Sequence, residues 1–203
     1  MSDRGAEYRF EKEWLDALPI DSYDSVYLCG MEAEEVSGDL LVDALTQKPA
    51  KKLFFAPGPR IVRIDPQRLQ HIWALHPVVH LNEAEALGYT GCNSVPEAAA
   101  WFRSRTENSV VITTGDKGAY VLSDVFTGNV PGEKTEVVNT IGAGDAHVGC
   151  LMACLAGGMS PREAVEKANK AAAKVVSQVG AILEDDWQEE ITTKEDCKQG
   201  ETA

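Results

Sequence analysis

Asn139-Thr140-Ile141-Gly142-Ala143-Gly144-Asp145-Ala146 is the stretch on which the reading of this chain turns. Two glycines around a small alanine let the backbone turn tightly and aim successive N–H groups at one point. The apolar, helix-forming run over 146–156 places that point at a helix N-terminus, which attracts an anion. Asp145 falls in the first turn of that helix, where the positive end of the macrodipole favours the ionised carboxylate and keeps it available as a base. A carboxylate beside a bound phosphate is repelled unless it takes a proton from the group that attacks that phosphate. Taken alone, Gly-Ala-Gly-Asp reads equally well as a Gly-rich helix entry capped by an acid, and the other loops of the chain decide between the two.

Working outward, apolar runs alternate with helical periods. Strands are predicted at 26–30, 53–55, 78–81 and 110–113, the last an uninterrupted apolar run suited to a parallel strand buried on both faces. Helices are predicted over 35–45, with Leu40, Leu41 and Leu45 on one face, over 66–75 behind Pro66, and from Ser94-Val95-Pro96-Glu97 through Phe102. A short helical period at Trp14, Leu15 and Leu18 stops at Pro19, and 7–10 carries a brief extended pattern. Loops are predicted at strand ends, at Ala56-Pro57-Gly58-Pro59-Arg60 and Asn82-Glu83-Ala84-Glu85. Gly115-Asp116-Lys117-Gly118 reads as a hairpin turn into Ala119-Tyr120-Val121-Leu122. Downstream, Gly157-Gly158 ends the helix behind Asp145, and Ser160-Pro161-Arg162-Glu163 opens the next with cap, first-turn proline and capping-box acid. Ala164, Val165, Ala168, Ala172, Val175, Val176 and Val179 form its expected buried stripe, closed by Gly180.

This alternation defines an α/β class with a mostly parallel sheet covered on both faces, and such sheets bind ligands beyond the carboxyl ends of their strands. The loops at Asn82, Gly115 and Asn139 all follow strands and are expected to share one crevice. At 203 residues the chain is long enough for one substantial core, expected over 1–186, followed by an acidic, flexible tail over 187–203. The net charge of −13, with 19 basic residues in no long run, argues against a nucleic-acid partner and for a small ligand or protein. Cys29, Cys92, Cys150, Cys154 and Cys197 show no Cys-x-x-Cys spacing, so neither a disulfide framework nor a thiolate zinc site is indicated, and a cytoplasmic location is expected. Cys150 and Cys154, four apart on an apolar helix, read as small core residues. No apolar run reaches membrane-spanning length and the N-terminus has no signal-peptide core, so no membrane association is expected.

Phosphoryl transfer requires a metal held against phosphates, N–H donors for the transferred group and a base for the acceptor hydroxyl. Asn82 and Glu85 offer oxygens suited to Mg²⁺, which keeps much of its water and needs few protein ligands, although an Asn with a Glu three residues on is more often a turn and helix cap. Thr113, Gly115 and Gly118 offer a hydroxyl and close backbone approach beside a nucleotide, or form a tight hairpin. Asn169, polar on an alanine-rich helix, either reaches an adenine or its ribose or faces water.

In order along the chain, Asn82-Glu83-Ala84-Glu85, Thr113-Thr114-Gly115-Asp116-Lys117-Gly118-Ala119, Asn139-Thr140-Ile141-Gly142-Ala143-Gly144-Asp145-Ala146 and Ala168-Asn169-Lys170-Ala171-Ala172 through Gly180-Ala181 resemble the PfkB, or ribokinase-like, family of carbohydrate and nucleoside kinases. Four ordered motifs over most of the chain are far more specific than Gly-Ala-Gly-Asp alone. The resemblance implies a ribokinase-like three-layer α/β/α fold, ATP as donor and Mg²⁺. It implies Asp145 as base on a sugar or nucleoside hydroxyl, Gly142, Ala143 and Gly144 as the anion hole, and nucleotide contacts near Thr113, Gly115 and Asn169. Family members carry, ahead of the region matching Met1, a third of the domain with the first strands, a Gly-Gly signature, the acid that grips the sugar and most of the lid. Gly5-Ala6-Glu7-Tyr8-Arg9-Phe10 resembles a strand from the end of that part, so the chain reads as a truncated frame, a fragment or a reduced member. Missing strands would leave an open sheet edge, and self-association into a homo-oligomer is expected. Asn139 stands where the family usually has Asp, which weakens a monovalent-cation site; Ala56 replaces a usual Asp or Asn, and His147 a usual aromatic.

Three readings follow, in this order: an ATP-dependent kinase of a sugar or nucleoside hydroxyl, a non-catalytic nucleotide-binding remnant of such a kinase, and a dinucleotide-dependent oxidoreductase. The last lacks a Gly-x-Gly-x-x-Gly after the first strand.

Overall fold

The computed structural model describes residues 9–180, and the expectations for the segment before Arg9 and for the tail over 187–203 lie outside them. The chain divides into two compact units, Met1–Ile112 and Thr113–Ala203.

In the first unit, β1 (Val26–Cys29), β2 (Leu53–Ala56), β3 (Val78–Asn82) and β4 (Val110–Thr113, whose last residue opens the second unit) lie side by side in chain order. β1 pairs with β2 and β2 with β3 in parallel, Leu28 standing opposite Phe55 and Phe55 opposite Val79. The interposed helices are α1 (Lys12–Ala17), α2 (Gly30–Glu34), α3 (Gly38–Gln47), α4 (Pro66–Ala74), α5 (Glu83–Thr90) and α6 (Val95–Thr106). Parallel strands alternating with helices establish the α/β class read from the sequence. The core centres on Phe54, Phe55, Ile72, Phe102 and Ile112, with the Trp73 ring edge-on to Phe55 at 5.4 Å and to Phe102 at 6.0 Å.

Capping explains the secure helix starts. Asp65 accepts the N–H groups of Gln67 and Arg68 behind Pro66, and Ser94 accepts that of Glu97. Three segments differ from expectation. Gly30, expected as the end of the first strand, instead opens a helix, α2, because Glu32 accepts the Cys29 N–H at 2.8 Å and the buried Arg68 guanidinium closes the other end, donating to the carbonyls of Ala33 at 2.6 Å and Glu35 at 2.9 Å. That closure delays α3 from 35 to Gly38, where Asp39 accepts from Arg68 Nε at 2.7 Å. The expected rigid loop after Ala56 winds into a 3₁₀ turn, Gly58–Arg63, and the segment after Asn82 is the start of α5 rather than a loop.

In the second unit, a 3₁₀ turn at Gly115–Lys117 leads into β5 (Ala119–Leu122), which pairs antiparallel with an unpredicted strand, β6 (Thr127–Val130). α7 (Ala143–Ala156) and α8 (Pro161–Val176) pack together, Val148, Leu151 and Cys154 being buried on one and Ala164, Val165, Ala168, Ala171 and Val175 on the other. Ser160 and Glu163 form the predicted capping box. α8 ends at Val176, however, so Val179 lies past the helix and is 92% exposed instead of completing the stripe. Cys150 and Cys154 are buried with their Sγ atoms 3.9 Å apart, as core residues. Among the described residues no helix is long and apolar enough to cross a membrane.

Candidate active site

The glycine loop belongs to the second unit and is tied at its start. The N–H groups of Val138 and Asn139 donate to the Val176 carbonyl at the end of α8, at 2.7 and 3.1 Å, and Asn139 Oδ1 accepts the Ile141 N–H at 3.0 Å. Gly142 then adopts φ 84°, a left-handed conformation costly to other residues, and serves as N-cap of α7. Whereas Asp65, Ser94 and Ser160 fill the entries of their helices with side-chain oxygens, the entry of α7 has no side-chain cap. Of its first-turn N–H groups, which lack acceptors within the helix, that of Ala143 donates to the Thr140 carbonyl at 3.3 Å. Gly144 is exposed, with nothing within 4 Å of where a Cβ would stand, and Asp145 is exposed in the same turn. Gly142, Ala143, Gly144 and Asp145 are thus gathered at one helix entry.

Thr113 is half-buried at the end of β4, and the turn behind it is closed by Thr114, whose N–H donates to the Gly118 carbonyl at 2.7 Å. Gly115, at φ 65°, faces open space. Gly118, at φ 97°, is glycine for a different reason: a Cβ there would stand 2.1 Å from the Val130 carbonyl oxygen and 2.4 Å from the Gly132 nitrogen. Its small size serves the packing of the turn against residues 130–132.

Asn169 does not face water. It is 6% exposed, and its Nδ2 donates to the carbonyls of Pro131 at 3.0 Å and Val130 at 3.2 Å. With the amide hydrogens directed there, Oδ1 is the acceptor toward His147 Nε2 at 3.1 Å, which places the imidazole proton on Nε2. His147 is 2% exposed, and burial lowers its pKa to about 4 against the opposing hydrogen bond from Asn169, so the ring is neutral. In the sequence this pairing shows only as one polar residue in each of two apolar helices.

Asn82 and Glu85 lie in the first unit and form the reciprocal capping box of α5: Asn82 Oδ1 accepts the Glu85 N–H at 2.8 Å, and Glu85 Oε2 accepts the Asn82 N–H at 3.0 Å. The cap reading of this pair therefore describes the geometry. It leaves Glu85 Oε1 outside the cap, beside Gly58. Burial raises the Glu85 pKa, with the two Asn82 hydrogen bonds opposing it. One carboxylate oxygen and the second lone pair of an amide oxygen suit Mg²⁺ held through its waters.

The parallel strands and interposed helices give an α/β fold, and the glycine entry of α7 sets an exposed acid in its first turn. Over residues 1–188 the chain matches the pfkB family carbohydrate kinase model, and it belongs to that family. The uncharacterized sugar kinase YegV of Escherichia coli is 30% identical over 184 residues, covering 89% of this chain and 57% of that protein. Ribokinase from Thermotoga maritima superposes with a TM-score of 0.71 at 23% identity, covering 96% of this chain and 62% of the other. Fructokinase from Vibrio cholerae, in a form with fructose, ADP and calcium ion bound, gives 0.67 at 27% identity over 82% and 59%. The chain spans about half the length of the curated relatives it matches.

Proposed function

We propose that this chain carries the phosphoryl-transfer centre of an ATP-dependent kinase acting on a hydroxyl of a sugar or nucleoside, with Asp145 as the base. The observation that carries this reading is the entry of α7, where a left-handed glycine, no side-chain cap and an exposed carboxylate in the first turn coincide. Membership of the pfkB family supports it, as does the bound ADP and fructose of the Vibrio cholerae relative.

In this account Asp145 accepts the proton of the acceptor hydroxyl as its oxygen bonds to the terminal phosphorus of ATP and the bond to ADP breaks. The N–H of Gly144, with Gly142 setting its direction, donates to the oxygens of the transferred group; that of Ala143 donates to the Thr140 carbonyl at 3.3 Å and joins only by leaving it. Thr113 and the open backbone at Gly115 contact the nucleotide. Gly118 and Asn169 shape that region from behind, their own contacts being with residues 130–132. Asn82 and Glu85 would hold Mg²⁺ through its waters, and the ion would supply charge neutralisation.

The test is transfer of labelled terminal phosphate from MgATP to a panel of sugars and nucleosides, with binding followed by calorimetry. Acceptor-dependent transfer supports the kinase reading. MgATP binding with no transfer to any acceptor would instead support a nucleotide-binding module, and absence of both would contradict the account.

A further inference from the structure

Within the second unit a continuous run of contacts leads from the helix that carries Asp145 to the turn that carries Gly118. His147 follows Asp145 by two residues on α7; its Nε2 faces Asn169 Oδ1 on α8, and the Asn169 amide donates to the carbonyls of Val130 and Pro131. Residues 130–132 in turn press on the turn. A Cβ on Gly118 would meet Val130 O at 2.1 Å, and one on Gly132 would meet Asp116 O at 2.6 Å, so the two backbones touch without intervening side chains.

We propose that His147 and Asn169 form a positioning pair that sets the nucleotide turn at 115–118 relative to α7, the Nε2–H of His147 fixing the orientation of the Asn169 amide. The role in nucleotide binding rests on the reading of that turn given above. Neither side chain touches reacting atoms; the pair acts through the main chain of 130–132. The amide has two orientations of nearly identical shape, and only one points N–H groups at two carbonyl oxygens. A donor at position 147 selects it. An acceptor there, or none, leaves Oδ1 buried and unsatisfied or turned onto the carbonyl oxygens, and either state pushes 130–132 away from Gly118. The burial that keeps the imidazole neutral leaves it one N–H, which this contact uses.

The test uses the full chain labelled with ¹⁵N and the variants His147→Phe, which keeps a planar ring without a donor, and His147→Gln, whose amide N–H reaches about as far as Nε2. Two quantities are read: exchange of the Gly118 amide, which donates to the Gly115 carbonyl at 3.1 Å, and the Kd for MgATP. The expected result is exchange accelerated about tenfold and Kd raised about tenfold in His147→Phe, with His147→Gln within about twofold of the parent chain in both. The long-range ¹H–¹⁵N spectrum of the parent should show His147 as the neutral Nε2–H tautomer. Unchanged exchange in His147→Phe, a glutamine variant behaving like the phenylalanine one, or an Nδ1–H tautomer overturns the pair. If His147→Phe does not fold, Asn169→Asp, which replaces the amide donors with oxygen, takes its place: accelerated Gly118 exchange supports the pair and unchanged exchange contradicts it. If the parent binds no MgATP, the nucleotide reading fails, while the exchange comparison still decides whether the pair positions the turn.

Discussion

Asn139 Oδ1 accepts the N–H of Ile141 at 3.0 Å, so the residue that opens the glycine loop also folds its first turn. Short Asn and Asp side chains bend the chain in this way by offering an acceptor two residues on. Asn139→Ala removes that acceptor and is expected to lower unfolding stability by about 1 kcal/mol and to slow phosphoryl transfer more than it weakens MgATP binding. Asn139→Asp keeps the acceptor and should retain most of both. Denaturant unfolding beside transfer kinetics checks the pair of variants, and an alanine variant with unaltered turnover would show that the loop orders itself without this bond.

Gly118 and Gly144 separate a packing glycine from a site glycine. Gly118→Ala sets a methyl 2.1 Å from a carbonyl oxygen at φ 97° and should destabilise the protein by more than about 2 kcal/mol. Gly144 has open space around it on a helix, so Gly144→Ala should be as stable as the parent or more stable by up to about 1 kcal/mol, while losing transfer activity if phosphate oxygens approach there as proposed. Calorimetric melting with activity on the same samples distinguishes them; equal loss of stability at both positions would contradict the distinction.

His147 gives a pH dependence whose sign is fixed. Its folded pKa of about 4 lies below the ordinary value of 6.5, first because burial disfavours the imidazolium, with the Asn169 bond opposing. The unfolded chain therefore binds the extra proton more readily. The contribution of this residue is complete above pH 6.5, falls as the pH drops toward 4, and levels off below it, the total loss being about 3 kcal/mol. His147→Gln has no such titration, so the stability difference between parent and variant should shift in the variant's favour by that order between pH 7.5 and 4. A difference that stays constant across the range would mean the ring is not held neutral.

What was legible in the sequence is what local rules control. Asp65-Pro66, Ser94 with Glu97 and Ser160 with Pro161 and Glu163 mark helix entries through side-chain oxygens and proline geometry, and apolar runs such as Leu53-Phe54-Phe55 mark buried parallel strands. The glycine entry to α7 was legible for the same reason. α2 was not, because its end is closed by Arg68, more than thirty residues away. β6, with Gly128 in its middle and one apolar residue, Val130, in four, carries too little apolar signal to register as a strand. α5 was hidden by a weak apolar face although its Asn82–Glu85 cap and left-handed Gly91 were both present in the sequence. Of the two readings of Asn169, reaching a nucleotide or facing water, the second is excluded, and only its partners, 22 to 39 positions distant, show why it is buried.

The capping box of α5 and the proposed metal role of the same residues can be pulled apart. Asn82→Ala removes the cap and should cost about 1 kcal/mol of stability. Glu85→Gln preserves an oxygen for the Asn82 N–H and should leave melting nearly unchanged, yet raise the Mg²⁺ concentration needed for half-maximal transfer by about tenfold. Titration of activity with Mg²⁺ at saturating ATP decides; an unchanged midpoint would leave Glu85 as a helix cap alone.

Asp145, exposed in the first turn of α7, is the residue proposed as the base of the phosphoryl transfer. Asp145→Asn keeps the side-chain size and removes the proton acceptor. The most direct measurement is the rate of transfer from MgATP to an acceptor by parent and variant, alongside calorimetric MgATP affinity. The account predicts transfer slowed by about 10²–10⁴-fold with affinity within about threefold. Transfer at the parent's rate, or loss of affinity equal to the loss of rate, would contradict it.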